Sequence, residues 1–88
     1  MDIRTVTKLA REIMPDIVAQ PIDAVAACER AGDEWRVIVD VIESHARLGD
    51  DDLLAVYELT LSDAGDLNAY RRLGRRRRFE DAGFAAAS

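Results

Sequence analysis

The chain has 88 residues, of which 49% are hydrophobic and 33% charged, which fits one small folded domain and argues against a disordered chain. Its single cysteine, Cys28, cannot form an internal disulfide, and no stretch approaches the roughly 20 apolar residues that a membrane span needs. The first residues lack the basic and apolar segments of a signal peptide. These absences predict a cytoplasmic protein that does not enter a membrane.

The net charge of −5 is distributed unevenly along the chain. Residues 1–66 carry 6 basic and 15 acidic side chains, whereas residues 67–88 carry 6 arginines and only 2 acidic side chains. A dipolar chain of this kind suits electrostatic recognition between proteins, either between copies of itself or with other proteins.

An amphipathic helix is predicted from about Asp2 to about Met14. Asp2 or Thr5 could cap its start. Pro15 then ends the helix or kinks it, in which case it continues to Ala19. The apolar side chains that recur at helical spacing are Ile3, Val6, Leu9, Ala10 and Ile13.

Antiparallel strands are predicted after the helix. Residues 35–43 and 53–61 alternate in the way typical of strands, and residues 67–78 complete a hairpin through a turn at Gly65. Residues 22–30 are ambiguous between helix and strand and are interpreted as a weak strand. The predicted fold is therefore α+β, with the helix packed on one face of a three- to four-stranded antiparallel meander, one domain, and a frayed tail at 83–88.

The sequence contains no recognisable catalytic or metal-binding motif. His45 has no Cys or His partner at metal-ligand spacing, and a lone Cys28 in an alanine-rich stretch is typical of a small buried side chain. The acidic run at 50–52 lacks the alternating ligands, glycine and distal glutamate of a calcium loop. We therefore expect no enzymatic activity, no metal and no cofactor.

The most distinctive segment holds six arginines within residues 71–78. If the segment is extended, Arg71, Arg75 and Arg77 share one face, and the other face carries Arg72, Arg76 and Arg78. Guanidinium groups in such a row repel each other unless a partner supplies anions, and folding a small sheet does not require them. We expect an acidic protein surface as the partner, with nucleic acid as the alternative. Replacing residues 75–78 by Gln should then leave the melting temperature nearly unchanged.

A second candidate partner-binding surface lies on the strand faces that a single helix cannot cover. These faces carry Ile38, Ile42, Leu54 and Val56. Some of these side chains should be exposed in a monomer, where they would form a docking patch for a partner or for a second copy.

The segment from Gly32 to Arg78 resembles the gas vesicle protein O (GvpO) family. The shared pattern is a tryptophan strand with repeated valines that ends in glutamate, an acidic loop, a "YE" strand, a turn with glycine, and a tyrosine–arginine strand. The residues that carry the resemblance are Trp35, Val37, Val39, Val41, Glu43, Asp52, Leu54, Tyr57, Glu58, Gly65, Leu67, Tyr70, Arg72, Arg75 and Arg78. The chain departs from the pattern at Arg76, where the family usually has an aromatic residue, and after Glu43, where it often has arginine and proline.

The resemblance implies a non-enzymatic accessory role in assembling gas vesicles, the gas-filled protein shells that give some prokaryotes buoyancy. It also implies other gas vesicle proteins as partners.

Overall fold

The computed structural model describes residues 1–44 and 52–77. One helix, α1 (Ile3–Ile17), precedes the strands β1 (Ile22–Ala31), β2 (Glu34–Ser44), β3 (Leu53–Ser62) and β4 (Leu67–Arg77). The strands form one antiparallel sheet in the order β1-β2-β3-β4. The predicted α+β fold, a helix on a four-stranded meander, is confirmed.

Helix α1 begins as the sequence predicts but ends later. The Asp2 carboxylate caps its start by accepting a hydrogen bond of 2.8 Å from the backbone N–H of Thr5. Of the two ends that the sequence left open, the one at about Met14 is wrong and the helix continues past Pro15, although it ends at Ile17 and not at Ala19. The Val18 N–H closes the further turn by donating to the Met14 carbonyl. A proline so near the end of a helix removes one hydrogen bond without stopping the turn that follows.

Strand β1 contains two bulges, at Asp23 and at Ala26, where the pairing with β2 shifts by one residue. They bring Ile22, Val25 and Cys28 to the same face, opposite Val41, Val39 and Val37 respectively. The three-residue spacing of these side chains is helix-like, which explains why the sequence left this segment ambiguous. The structure settles it as an edge strand.

The main core lies between α1 and the face of the sheet that carries Val37 and Leu59, called here the helix side. The buried side chains of this core are Val6, Ala10, Met14, Trp35, Val37, Val39, Val41, Ala55, Leu59 and Leu61. Each fully buried Val, Leu or Met side chain of this core stabilises the fold by about 1.5–3 kcal/mol relative to exposure. Helix α1 packs mainly against β1 and β2, so the core is centred on the first half of the sheet.

Polar contacts hold the turn between β3 and β4 to β2 and to the chain's amino terminus. The indole Nε1 of Trp35 donates a 3.1 Å hydrogen bond to Asp63, and the chain's amino terminus lies 3.5 Å from the same carboxylate. The Trp35 hydrogen bond is the main reason that the pKa of Asp63 is lowered. Gly65 has φ +97°, the positive value predicted for it in this turn.

Candidate protein-binding surface

A bulge in β4 decides which way its arginines point. Arg72 pairs with Tyr57 and Gly74 with Val56, so Leu73 is an extra residue that shifts the alternation by one. Gly74 has φ +155°, which few other residues adopt.

The two arginine faces predicted from strict alternation are therefore wrong. Arg71 and Arg76 lie on the side of the sheet opposite the helix, called here the open side, where their β3 partners are Glu58 and Leu54. Arg72, Arg75 and Arg77 lie on the helix side.

An ionic layer covers part of the open side. Arg76 on β4 reaches across β3 to Asp40 on β2, with 2.6 Å between Nη2 and Oδ2, and Asp40 is only 2% exposed. Glu58 accepts a hydrogen bond of 2.7 Å from Arg36 and one of 3.1 Å from Arg71. The Arg36 hydrogen bond is the leading cause of the lowered pKa of Glu58, and Glu58 in turn raises the pKa of Arg36.

This ionic layer changes the interpretation of the open-side apolar residues. Leu54 and Val56 are 0% and 1% exposed, so these two of the four residues do not belong to the docking patch that was expected there. The register places Arg76 beside Leu54, and Asp40 beside Val56, so the side chain of Arg76 passes over this pair on its way to the carboxylate. Ile38 and Ile42 are half-buried and remain candidates for partner contact.

The premise that a partner must supply the anions for these arginines is wrong for three of them. Arg71, Arg72 and Arg76 each have a carboxylate of the same chain within 3.1 Å. A buried carboxylate such as Asp40 needs a cationic partner, because an unpaired buried charge is strongly destabilising.

A different cluster lies at the helix side of β4. Glu43 accepts a 2.9 Å hydrogen bond from Arg72, which lowers the pKa of Glu43 and raises that of Arg72, and the Tyr57 side chain raises the pKa of Arg72 further. Arg75 Nε lies 3.6 Å from Glu43 Oε2, too far for a hydrogen bond, and this buried oxygen has no hydrogen-bond partner among residues 1–44 and 52–77. These four side chains (Glu43, Tyr57, Arg72 and Arg75) all belong to the set that carries the family resemblance. Residues that are far apart in the shared sequence pattern therefore lie together in this cluster.

Exposed apolar side chains continue this surface along β4. Leu67 is 36% exposed and Tyr70 is 54% exposed, and they pair with Leu61 and Leu59 on the helix side. Both β3 partners are fully buried, so burial on this side stops at the last strand.

Cys28, His45 and the acidic run at 50–52 were considered from sequence as candidates for catalysis or metal binding. Cys28 is half-buried, and desolvation raises the pKa of its thiol. Within the described ranges, no group of three or more His, Cys, Asp or Glu side chains is placed to hold a metal ion, and no helix is long and apolar enough to cross a membrane. His45, Asp50, Asp51, Arg78 and the tail at 83–88 lie outside the described residues.

Comparison with known proteins identifies similar chains. The family model described as gas vesicle synthesis protein GvpO matches residues 1–81. Gas vesicle protein O1 of Halobacterium salinarum is 33% identical over 69 residues, which are 78% of this chain and 58% of that protein. Gas vesicle protein O of Haloferax mediterranei is 33% identical over 70 residues, which are 78% of this chain and 50% of that protein.

The aligned segment thus spans about half the length of these two relatives. No solved structure matches the chain.

Proposed function

The chain belongs to the family of gas vesicle synthesis protein GvpO, and from this premise we propose that it is a cytoplasmic accessory protein that promotes gas vesicle formation by binding other gas vesicle proteins, without catalysis. Because the chain matches only part of its two relatives, the function of those longer proteins is not transferred whole. The proposal concerns the segment that the chain shares with them.

The exposed arginine strand is the observation that carries the binding role. Although Arg71 and Arg75 have carboxylates near them, 67% and 62% of their side chains are exposed, so their remaining N–H donors face solvent. On the helix side, Arg75 shares a face of β4 with the exposed Leu67 and Tyr70, a combination that resembles protein interfaces, where arginine and aromatic residues are enriched. Ile38 and Ile42 would extend the contact to the open side.

The intramolecular ion pairs make nucleic acid a poorer partner than protein. Binding to phosphates needs cations that are free to replace condensed counterions. The carboxylates Asp40, Glu43 and Glu58 already neutralise much of the positive charge of β4.

Deleting the gene in its own cells, with the wild-type gene returned on a plasmid, tests this function. We expect deletion to abolish or sharply reduce gas vesicles seen by electron microscopy, and the returned gene to restore them. A tagged chain should co-purify with at least one other gas vesicle protein, in a yield that falls with salt. Cys28→Ser is the control that should support normal vesicles, because no chemistry is assigned to the thiol.

Normal vesicle numbers after deletion would refute the accessory role. Loss of vesicles with a stable Cys28→Ser chain would refute the absence of catalysis. Sedimentation of the purified chain would separately show whether it also pairs with itself.

A further inference from the structure

The helix side of the sheet has room for more than α1. Four strands about 4.8 Å apart place the outer strand axes about 14 Å from each other, whereas a helix is about 10 Å across. Because α1 packs mainly against β1 and β2, it cannot also cover β4. Leu67 and Tyr70 on the helix side of β4 are exposed accordingly.

The edge of β4 is poorly suited to adding another strand. Its pairing with β3 shifts by one residue at Asn68 and again at Leu73. Bulges of this kind twist an edge and interrupt the regular spacing of its hydrogen-bonding groups, which is one way that proteins block edge-to-edge pairing. A partner is therefore more easily accommodated on the face of β4 than along its edge.

This face changes in character from one end to the other. It starts with the apolar Leu67 and Tyr70, and continues with the cationic Arg72 and Arg75. The stretch from Leu67 to Arg75 is about 25 Å long, which matches a helix of about 17 residues. On the neighbouring flank, Leu9 of α1 approaches the β3–β4 turn and is only half-buried, so a second helix would find apolar contact there too.

The positive charge at one end of this β4 face favours an acidic partner. Arg75 exposes 62% of its side chain, and the nearest carboxylate oxygen among residues 1–44 and 52–77 is 3.6 Å away, so its guanidinium can still accept a closer carboxylate. The α1 helix of a second copy carries three exposed cations, Arg4, Lys8 and Arg11, against two exposed carboxylates, Glu12 and Asp16, so it would bring a net positive charge to this cationic end. An acidic helix from a different protein fits better.

Resting on the proposed function, we infer that an amphipathic, acidic helix of another gas vesicle protein docks on the helix side of β4, beside α1. Its apolar face covers Leu67 and Tyr70, and its carboxylates pair with Arg72 and Arg75. Recognition of this type, a helix laid by its apolar face on a complementary surface, is common among protein complexes.

Site-specific photo-crosslinking in vesicle-forming cells tests the surface. A photoreactive benzoylphenylalanine replaces Tyr70 in one variant and Ala69 in a second variant. Ala69 is the matched control, because it is the next residue on β4, is also exposed, and pairs with Thr60 on the open side. We expect position 70 to capture an acidic, amphipathic segment of a gas vesicle protein, with at least about tenfold higher yield than position 69.

A synthetic peptide of the captured segment then tests affinity with the purified full chain. Tyr70→Ser should weaken binding at least about tenfold, as expected of a central aromatic contact. Arg75→Gln should reduce the dependence of binding on salt, whereas Arg11→Gln, the same charge change on α1, should not. Circular dichroism of each variant checks that it is folded.

Equal capture at positions 69 and 70, or no capture at either in cells that form vesicles, would overturn the inference. So would capture of a second copy, of nucleic acid, of a basic segment or of an extended strand. These results would leave the accessory role standing, because that role is tested by the deletion and not by the crosslink.

Discussion

Arg76→Met should be the most destabilising single change in the arginine strand. The substitution keeps the aliphatic stem over Leu54 and Val56 but removes the guanidinium that lies 2.6 Å from Asp40. Asp40 is 2% exposed, and removing one partner of a buried ion pair costs about 3–5 kcal/mol. For a chain of 88 residues, whose total stability is roughly 4–13 kcal/mol, this loss is a large fraction.

Urea unfolding followed by Trp35 fluorescence measures this loss, because Trp35 is 5% exposed in the folded core. Arg75→Met is the matched control: Arg75 is exposed and 3.6 Å from Glu43, so its removal should cost no more than about 1 kcal/mol. In the double variant, Asp40→Leu combined with Arg76→Met should recover most of the stability, since both buried charges are then absent.

Equal losses for Arg76→Met and Arg75→Met would refute the reasoning, because the cost would then not come from the buried carboxylate. Failure of Asp40→Leu to rescue Arg76→Met would also refute it. The fourfold Gln replacement at residues 75–78, expected from sequence to leave the melting temperature nearly unchanged, should instead lower it clearly, since it removes the Arg76 partner of Asp40.

Three further predictions concern stability and reactivity. Because their arginine partners hold the pKa of Glu43 and Glu58 below the ordinary value, the stabilisation is present above about pH 4.3 and is lost as pH falls through the folded pKa values. Urea midpoints measured between pH 7 and pH 3 should decrease accordingly, and less so in Glu58→Gln. Gly65→Ala should cost about 1–2 kcal/mol by thermal unfolding, because φ is +97° and the new Cβ would lie 3.2 Å from Leu9 Cδ1. The Cys28 thiol should react with iodoacetamide at pH 7 more slowly in the folded chain than in urea, because burial raises its pKa.

The elements that sequence predicted well are those governed by local periodicity. The cap at Asp2 and the alternation from Trp35 to Val41 follow from side-chain chemistry within a few residues, and both are present. The resemblance to the GvpO family rests on the same strands and is confirmed by the family match.

The errors arise where one extra residue changes a face. The bulge at Leu73 places Arg76 on the open side with Arg71, against strict alternation. Glycine at 74 is the signal that could have suggested this bulge, because an isolated glycine within a strand often marks one. The end of α1 was left open between Met14 and Ala19, because one proline does not stop a turn that is closed by a residue beyond it.

The ion pairs could not be derived from the sequence because they depend on register across three strands. Arg76 and Asp40 are 36 residues apart, and they meet only because β3 lies between their strands. The one local signal was an acidic residue at position 40 within a run of valine and isoleucine, where a buried charge demands a partner.

The two sides of β4 therefore impose different requirements on the same run of arginines. On the open side, Arg71 and Arg76 pair with buried carboxylates, so substituting either arginine should change the stability of the fold. On the helix side, Arg75 exposes most of its side chain near an incompletely satisfied Glu43 oxygen, so changing it reports on what the surface contacts. A loss of vesicles after replacing all the arginines together could come from either cause. Only variants confined to the helix side, with unchanged urea midpoints, can attribute such a loss to partner binding.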